Sequence, residues 1–140
     1  MPFKSAWFVE GRVAYTRIEG ALTVGDLPAL DQAQQQFLDQ STGILTHTLW
    51  DFRGANEVPS PLILKRDLTF PNHKKFGWAI IIGIDNPITR LTLTIAPQLF
   101  RVRFRHWETV AQALDFLQMV DSTLPDLYEI QRNHHIVSTD

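Results

Sequence analysis

The chain has 140 residues, 44% of them apolar and 20% charged, with a formal net charge of −2 and no cysteine. That length fits one globular domain, 1–140, which by area scaling buries about two-thirds of its unfolded surface, enough for an ordinary core without staples. Lack of cysteine excludes disulfides, thiolate metal sites and Cys nucleophiles, and suits a reducing compartment, so the cytoplasm is the expected location.

No stretch approaches the roughly 18 apolar residues of a membrane span, and the opening Met-Pro-Phe-Lys-Ser-Ala-Trp lacks the pattern of a signal peptide. The charge is unevenly spread: residues 65–106 hold eight basic and two acidic side chains, a net of +6, and the remainder carries −8. Such a sequence dipole suits a basic docking face for an anion or an acidic partner.

In chain order, residues 6–9 and 13–18 are rich in aromatic and β-branched types around Glu10-Gly11, which predicts a hairpin. A loop follows over 20–26. Leu27, Leu30, Ala33, Phe37 and Leu38 then share one helical face over 27–40, with Asp26 as N-cap and Pro28 in the first turn. Residues 45–52 read as a central strand ending near Asp51, and 53–60 as a loop. Ser60-Pro61 is a cap-then-proline start for a short helix over 61–69. The run 77–84 is the most apolar in the chain and does not alternate, as in a strand covered on both faces. Lys74-Lys75 before it serve as gatekeepers against aggregation.

Asn86-Pro87 repeats the capping device, and Ile88, Leu91, Ile95 and Leu99 form the stripe of a helix over 87–99. Residues 102–105 alternate, which predicts a strand with Val102 and Phe104 inward and Arg101, Arg103 and Arg105 on the opposite face. Thr109 and Gln112 make a capping box before a helix lined by Val110, Ala113, Leu114 and Leu117. Beyond 121 the periodicity fades into a C-terminal extension. There Leu127, Tyr128 and Ile130 can add one helical turn, and 133–140 form a frayed tail. The order ββαβαβαβα predicts an α/β domain with a mixed, mostly parallel five-stranded sheet and about four helices.

Three stretches in this order carry a resemblance: Glu19-Gly20-Ala21-Leu22 leading into the first helix, Leu49-Trp50-Asp51-Phe52-Arg53-Gly54 closing the second β unit, and residues 110–117 as a closing helix. Over about 5–118 the chain resembles the STAS family of bacterial anti-sigma-factor antagonists and sulphate-transporter tails, and its SpoIIAA-like relatives. The resemblance implies a STAS-like (SpoIIAA-like) layered fold and a partner contact at the helix after that strand, through Ser60, Leu62, Lys65 and Arg66. In phosphorylatable members a Ser in an Asp-Ser-Ser-Gly-like stretch is switched by a partner kinase. The matching stretch here is Val58-Pro59-Ser60-Pro61-Leu62, with Pro59 in place of the acid and no Gly. A phosphate on Ser60 would meet the positive end of a helix, with Lys65 or Arg66 one turn on; the plainer reading is a Ser that caps a helix.

No Gly-x-Ser-x-Gly elbow, Walker loop or Gly-x-Gly-x-x-Gly stretch supports a nucleophile or a nucleotide cradle. His47, His73 and His106 are far apart and His134-His135 are adjacent, so no metal site is expected. Arg101, Arg103 and Arg105 form a candidate anion site, weighed against a strand that simply has one wet face. With a pI near 6.2 and no recognised module, nucleic-acid binding is not expected. Trp7, Trp50, Trp78 and Trp107 read as core aromatics, the minority reading being a ligand cavity lined by Trp50, Trp78 and Phe104.

These readings converge on a non-catalytic regulatory or protein-interaction module without cofactor, with a kinase- or sensor-like partner. The competing class is a small-molecule domain for an anionic or lipid-like ligand, and an enzyme comes third. An exposed edge strand would allow a homodimer.

Overall fold

The computed structural model describes residues 2–132; the expected tail over 133–140, with His134 and His135, lies outside them. The hairpin consists of β1 (Phe3–Val9) and β2 (Val13–Ala21). Its turn needs Gly11, which sits at φ 73°, where a Cβ would also run into the Thr42 side chain. A 3₁₀ turn (Val24–Asp26) leads to α1 (Leu27–Asp39), followed by β3 (Thr46–Glu57), α2 (Pro61–Asp67) and a second 3₁₀ turn (Phe70–Asn72). Then come β4 (Phe76–Ile82), α3 (Pro87–Phe100), β5 (Phe104–Trp107), α4 (Val110–Val120) and α5 (Leu127–Arg132). The fifth helix is the turn around Leu127; Leu127 itself is fully buried.

The strands lie in the order β1-β2-β3-β4-β5, the first pair antiparallel and the rest parallel. Every crossover advances one strand in the same direction, so right-handed connections stack α1, α2 and α3 on one face. Their Leu27, Leu30, Leu64, Leu93 and Ala96 pack there with Ile18, Trp50, Phe52, Ala79 and Ile81 of the sheet. On the other face α4 and α5 bring Val110, Leu114, Leu117 and Leu127 against Val13, Tyr15, Leu49, Ile80 and Ile82. Successive residues of β4 thus feed two cores, which is why that run does not alternate.

Four local expectations are corrected. The loops expected at 20–26 and 53–60 are shortened, because Glu19, Gly20 and Ala21 pair with Gly54, Ala55 and Glu57 and carry both strands further. Asp26 stands at the expected N-cap position of α1, but its carboxylate makes no cap bond there and instead turns back to the Thr23 backbone N–H and hydroxyl, both at 2.8 Å. Arg101 is not on a strand: it closes α3 in the left-handed region (φ 61°), and Val102 N–H bonds back to the Pro97 carbonyl at 3.1 Å. The cavity between Trp50 and Trp78 does not form, because Trp50 belongs to the α1–α3 core and Trp78 packs edge-on against Phe116 on the opposite face.

Candidate functional site

Ser60 caps α2 as its sequence suggests: the hydroxyl accepts the Ile63 N–H at 3.4 Å, and Pro61 fills the first helical position, where a missing N–H costs nothing. Ser60 is exposed. Leu62, on the first turn, is 74% exposed. Arg66 is committed to the neighbouring Asp67 through two contacts of 2.7 and 3.0 Å. Lys65 lies over the Phe100 ring, 5.0 Å from its centroid, and so links α2 to the end of α3.

The stripe that identifies α3 is not the one it buries. Thr89, Thr92, Leu93, Ala96 and Pro97 face inward, while Ile88 (77%), Leu91 (60%), Ile95 and Leu99 (both 38%) face out. Small residues against the sheet let the helix backbone approach closely, and this leaves the larger side chains on the wet side. Leu62 and this stripe give the α2–α3 side large exposed apolar side chains on both helices. Basic side chains accompany them: Lys65, the exposed Arg101, and Arg90, whose guanidinium donates to the Ile84 carbonyl at 3.2 Å.

Of the three arginines of the candidate anion site, Arg101 and Arg103 line one polar opening and Arg105 does not. Arg103 and Arg105 do share a face, but their guanidinium groups lie over Trp78 and Phe116, 5.3 and 5.4 Å from the ring centroids. Arg101 departs with the helix end.

Two polar clusters lie on the α4–α5 side. The fully buried Asp51 accepts the Tyr15 hydroxyl at 2.5 Å and the Arg53 guanidinium at 2.7 and 3.0 Å. Burial by itself would raise Asp51, but these hydrogen bonds outweigh it and hold the carboxyl below its ordinary value. Burial, with Asp51 as neighbour, pushes the Tyr15 phenol far up. Gly83, at φ 72°, leaves the space that the Arg53 side chain occupies; a Cβ there would collide with it. The alternation of β3 offered a signal for this cluster, since Asp51 and Arg53 stand two apart on the face of Leu49.

At the other end of the strands, His47 Nδ1 accepts the Trp78 N–H at 3.0 Å, so its Nε2 carries the proton and donates to Asp121 at 2.9 Å. Both ring nitrogens are engaged, leaving no lone pair for a base. Burial lowers the His47 pKa, partly offset by Asp121. Asp121 is itself raised by burial but drawn down to about 2 by Thr123 and His47. Arg12 also reaches Asp121, at 3.3 Å. The cluster ties the α4–α5 connection to the sheet. His73 pairs with Asp39 at 2.9 Å, and His106 bonds the Leu93 carbonyl at 3.1 Å.

No protein-family model matches the sequence, and no curated protein does. Solved structures share the architecture. A DUF3478-family protein with a SpoIIAA-like fold from Shewanella loihica aligns at TM-score 0.55 and 22% identity, over 75% of this chain and 83% of that one. The anti-sigma-factor antagonist SpoIIAA in its unphosphorylated form aligns at TM-score 0.55 and 13% identity, over 85% and 98%. An anti-sigma-factor antagonist from Mycobacterium paratuberculosis aligns at TM-score 0.51 and 18% identity, over 83% and 94%. The chain is an α/β protein with a STAS/SpoIIAA-like fold. Among the described residues no helix is long and apolar enough to cross a membrane.

Proposed function

We propose that the chain is a non-catalytic protein-interaction module that docks a regulatory partner on the outer side of α2 and α3. The observation that carries this reading is the exposed stripe Ile88, Leu91, Ile95 and Leu99, with Leu62 on the neighbouring helix. Large exposed apolar side chains gathered on one side of a molecule mark interaction sites, and a mostly exposed one such as Ile88 or Leu62 stabilises a complex by up to roughly 1.5–3 kcal/mol when buried, the half-buried Ile95 and Leu99 by less. The cations on this side, Lys65, Arg90 and Arg101, fit a protein that presents an acidic, amphipathic segment. That two structural neighbours are anti-sigma-factor antagonists supports a regulatory role, and a partner contact at α2 is what the family resemblance implies.

Affinity capture from the native cells, with wild type and Leu62→Glu side by side, tests it. The expected result is a partner with an acidic apolar segment that wild type retains and Leu62→Glu loses, at unchanged thermal unfolding; equal retention overturns the surface. Ser60 belongs to this edge as the proposed phosphosite, and mass spectrometry of the native protein should find a modified Ser60 peptide. Its repeated absence would reduce Ser60 to a cap.

A further inference from the structure

On the α1–α3 face the sheet and helices leave a cavity of about 90 Å³, walled by side chains such as Trp50, Leu64, Ile81, Leu93 and Ala96. It adjoins a polar opening of about 310 Å³ that includes Asn72, Arg101 and Arg103. Pro71, Phe76, Phe100 and Val102 line both, and so form the neck between them. Close-packed interiors leave few such spaces, and one without polar walls excludes water, which needs two or more hydrogen-bond partners. Its natural guest is apolar. A cavity of ~150 Å³ accepts benzene, so this smaller one suits a tail of about three to five carbons.

The neck is positive. Lys65 lies over Phe100, and Arg101 is exposed beside it, making no ion pair among the described residues. The Arg103 guanidinium is held by Trp78, which leaves Arg101 to meet a head group. Arg101 also occupies the left-handed helix-end position that glycine normally takes, so backbone comfort has yielded there to a side chain.

We propose that this face binds a small amphipathic carboxylate, its short apolar tail in the cavity and its head group paired with Arg101. The site shares Lys65 and Arg101 with the rim of the docking surface, but its cavity uses none of the exposed stripe or Leu62. The test is an NMR titration of the full chain with pentanoate and, as an uncharged control, pentanol. Wild type should show saturable shifts for both probes around Phe100–Val102 and the Trp50 indole. Arg101→Gly, which relaxes the backbone and removes the cation, should weaken pentanoate by about tenfold or more and leave pentanol nearly unchanged. Ala96→Leu, or Ala79→Val if the first does not fold, should abolish both, and Leu62→Glu should alter neither. The proposal is overturned if wild type binds neither probe or only pentanol, if Arg101→Gly binds pentanoate as tightly as wild type, or if the filled cavity still binds.

Discussion

On the α4–α5 side the sheet is closed by a filled core and clamped at both ends by polar clusters, Tyr15–Asp51–Arg53 at one and Arg12–His47–Asp121 at the other. On the α1–α3 side the charged contacts are exposed ones between α1 and the turn after α2, Asp31 accepting from Thr69 and Phe70 and Asp39 pairing with His73; there the helices keep a cavity and turn large apolar side chains outward. Both faces bury an apolar core, and the fully buried charge cluster lies on the α4–α5 one. The other leaves apolar surface unburied within and without, the feature on which the proposed recognition role rests.

This contrast has measurable consequences. Asp51→Ala should be the most damaging change, costing about 3–5 kcal/mol in urea denaturation, because it removes the buried carboxylate that both the Arg53 guanidinium and the Tyr15 hydroxyl bond. A matched pair of packing variants comes next. Ala113→Leu, in the filled core, should cost about 1–3 kcal/mol, whereas Ala96→Leu, beside the cavity, should stay within about 1 kcal/mol of wild type. Equal losses would mean that the cavity gives no room.

Acid should act first through two buried histidines, His47 on the α4–α5 side and His106 beside α3, both lowered by burial. His47 has a lowered folded pKa, so its contribution is complete above 6.5 and lost as pH falls, because the unfolded chain takes up the proton more readily. The Asp121 contribution is complete above 3.8 and lost as pH falls through about 2. Stability followed from pH 7 downward should therefore decline in two stages, and His47→Gln should reduce the first and leave the share that comes from His106. Leu91→Gln should have the smallest effect, within about 0.5 kcal/mol, since its side chain already faces water.

Features decided by neighbours in sequence were legible there. Ser60-Pro61 and Asn86-Pro87 cap their helices, Gln112 N–H meets the Thr109 hydroxyl at 3.2 Å, and the continuous run before Gly83 is a strand buried on both sides. Features decided by distant pairing were not. Nothing local tells β3 to continue past Asp51, because its extension exists only against Glu19–Ala21. Trp50 and Trp78 can be placed on opposite faces only once Trp50 is known to pair with Ile81. Periodicity identified α3 as a helix yet could not choose its inner side, since threonine methyls and Ala96 pack as readily as isoleucine when the backbone comes close. The proposed docking face was therefore half visible, through Leu62, and half hidden in a stripe that looks like core.

Hydrogen exchange on the chain bound to its captured partner tests the division between the faces most directly. New protection over Ser60–Arg66 and along α3, with α4 and α5 unchanged, is the predicted result; protection gained on α4 and α5 while α2 and α3 exchange as in the free protein would contradict it.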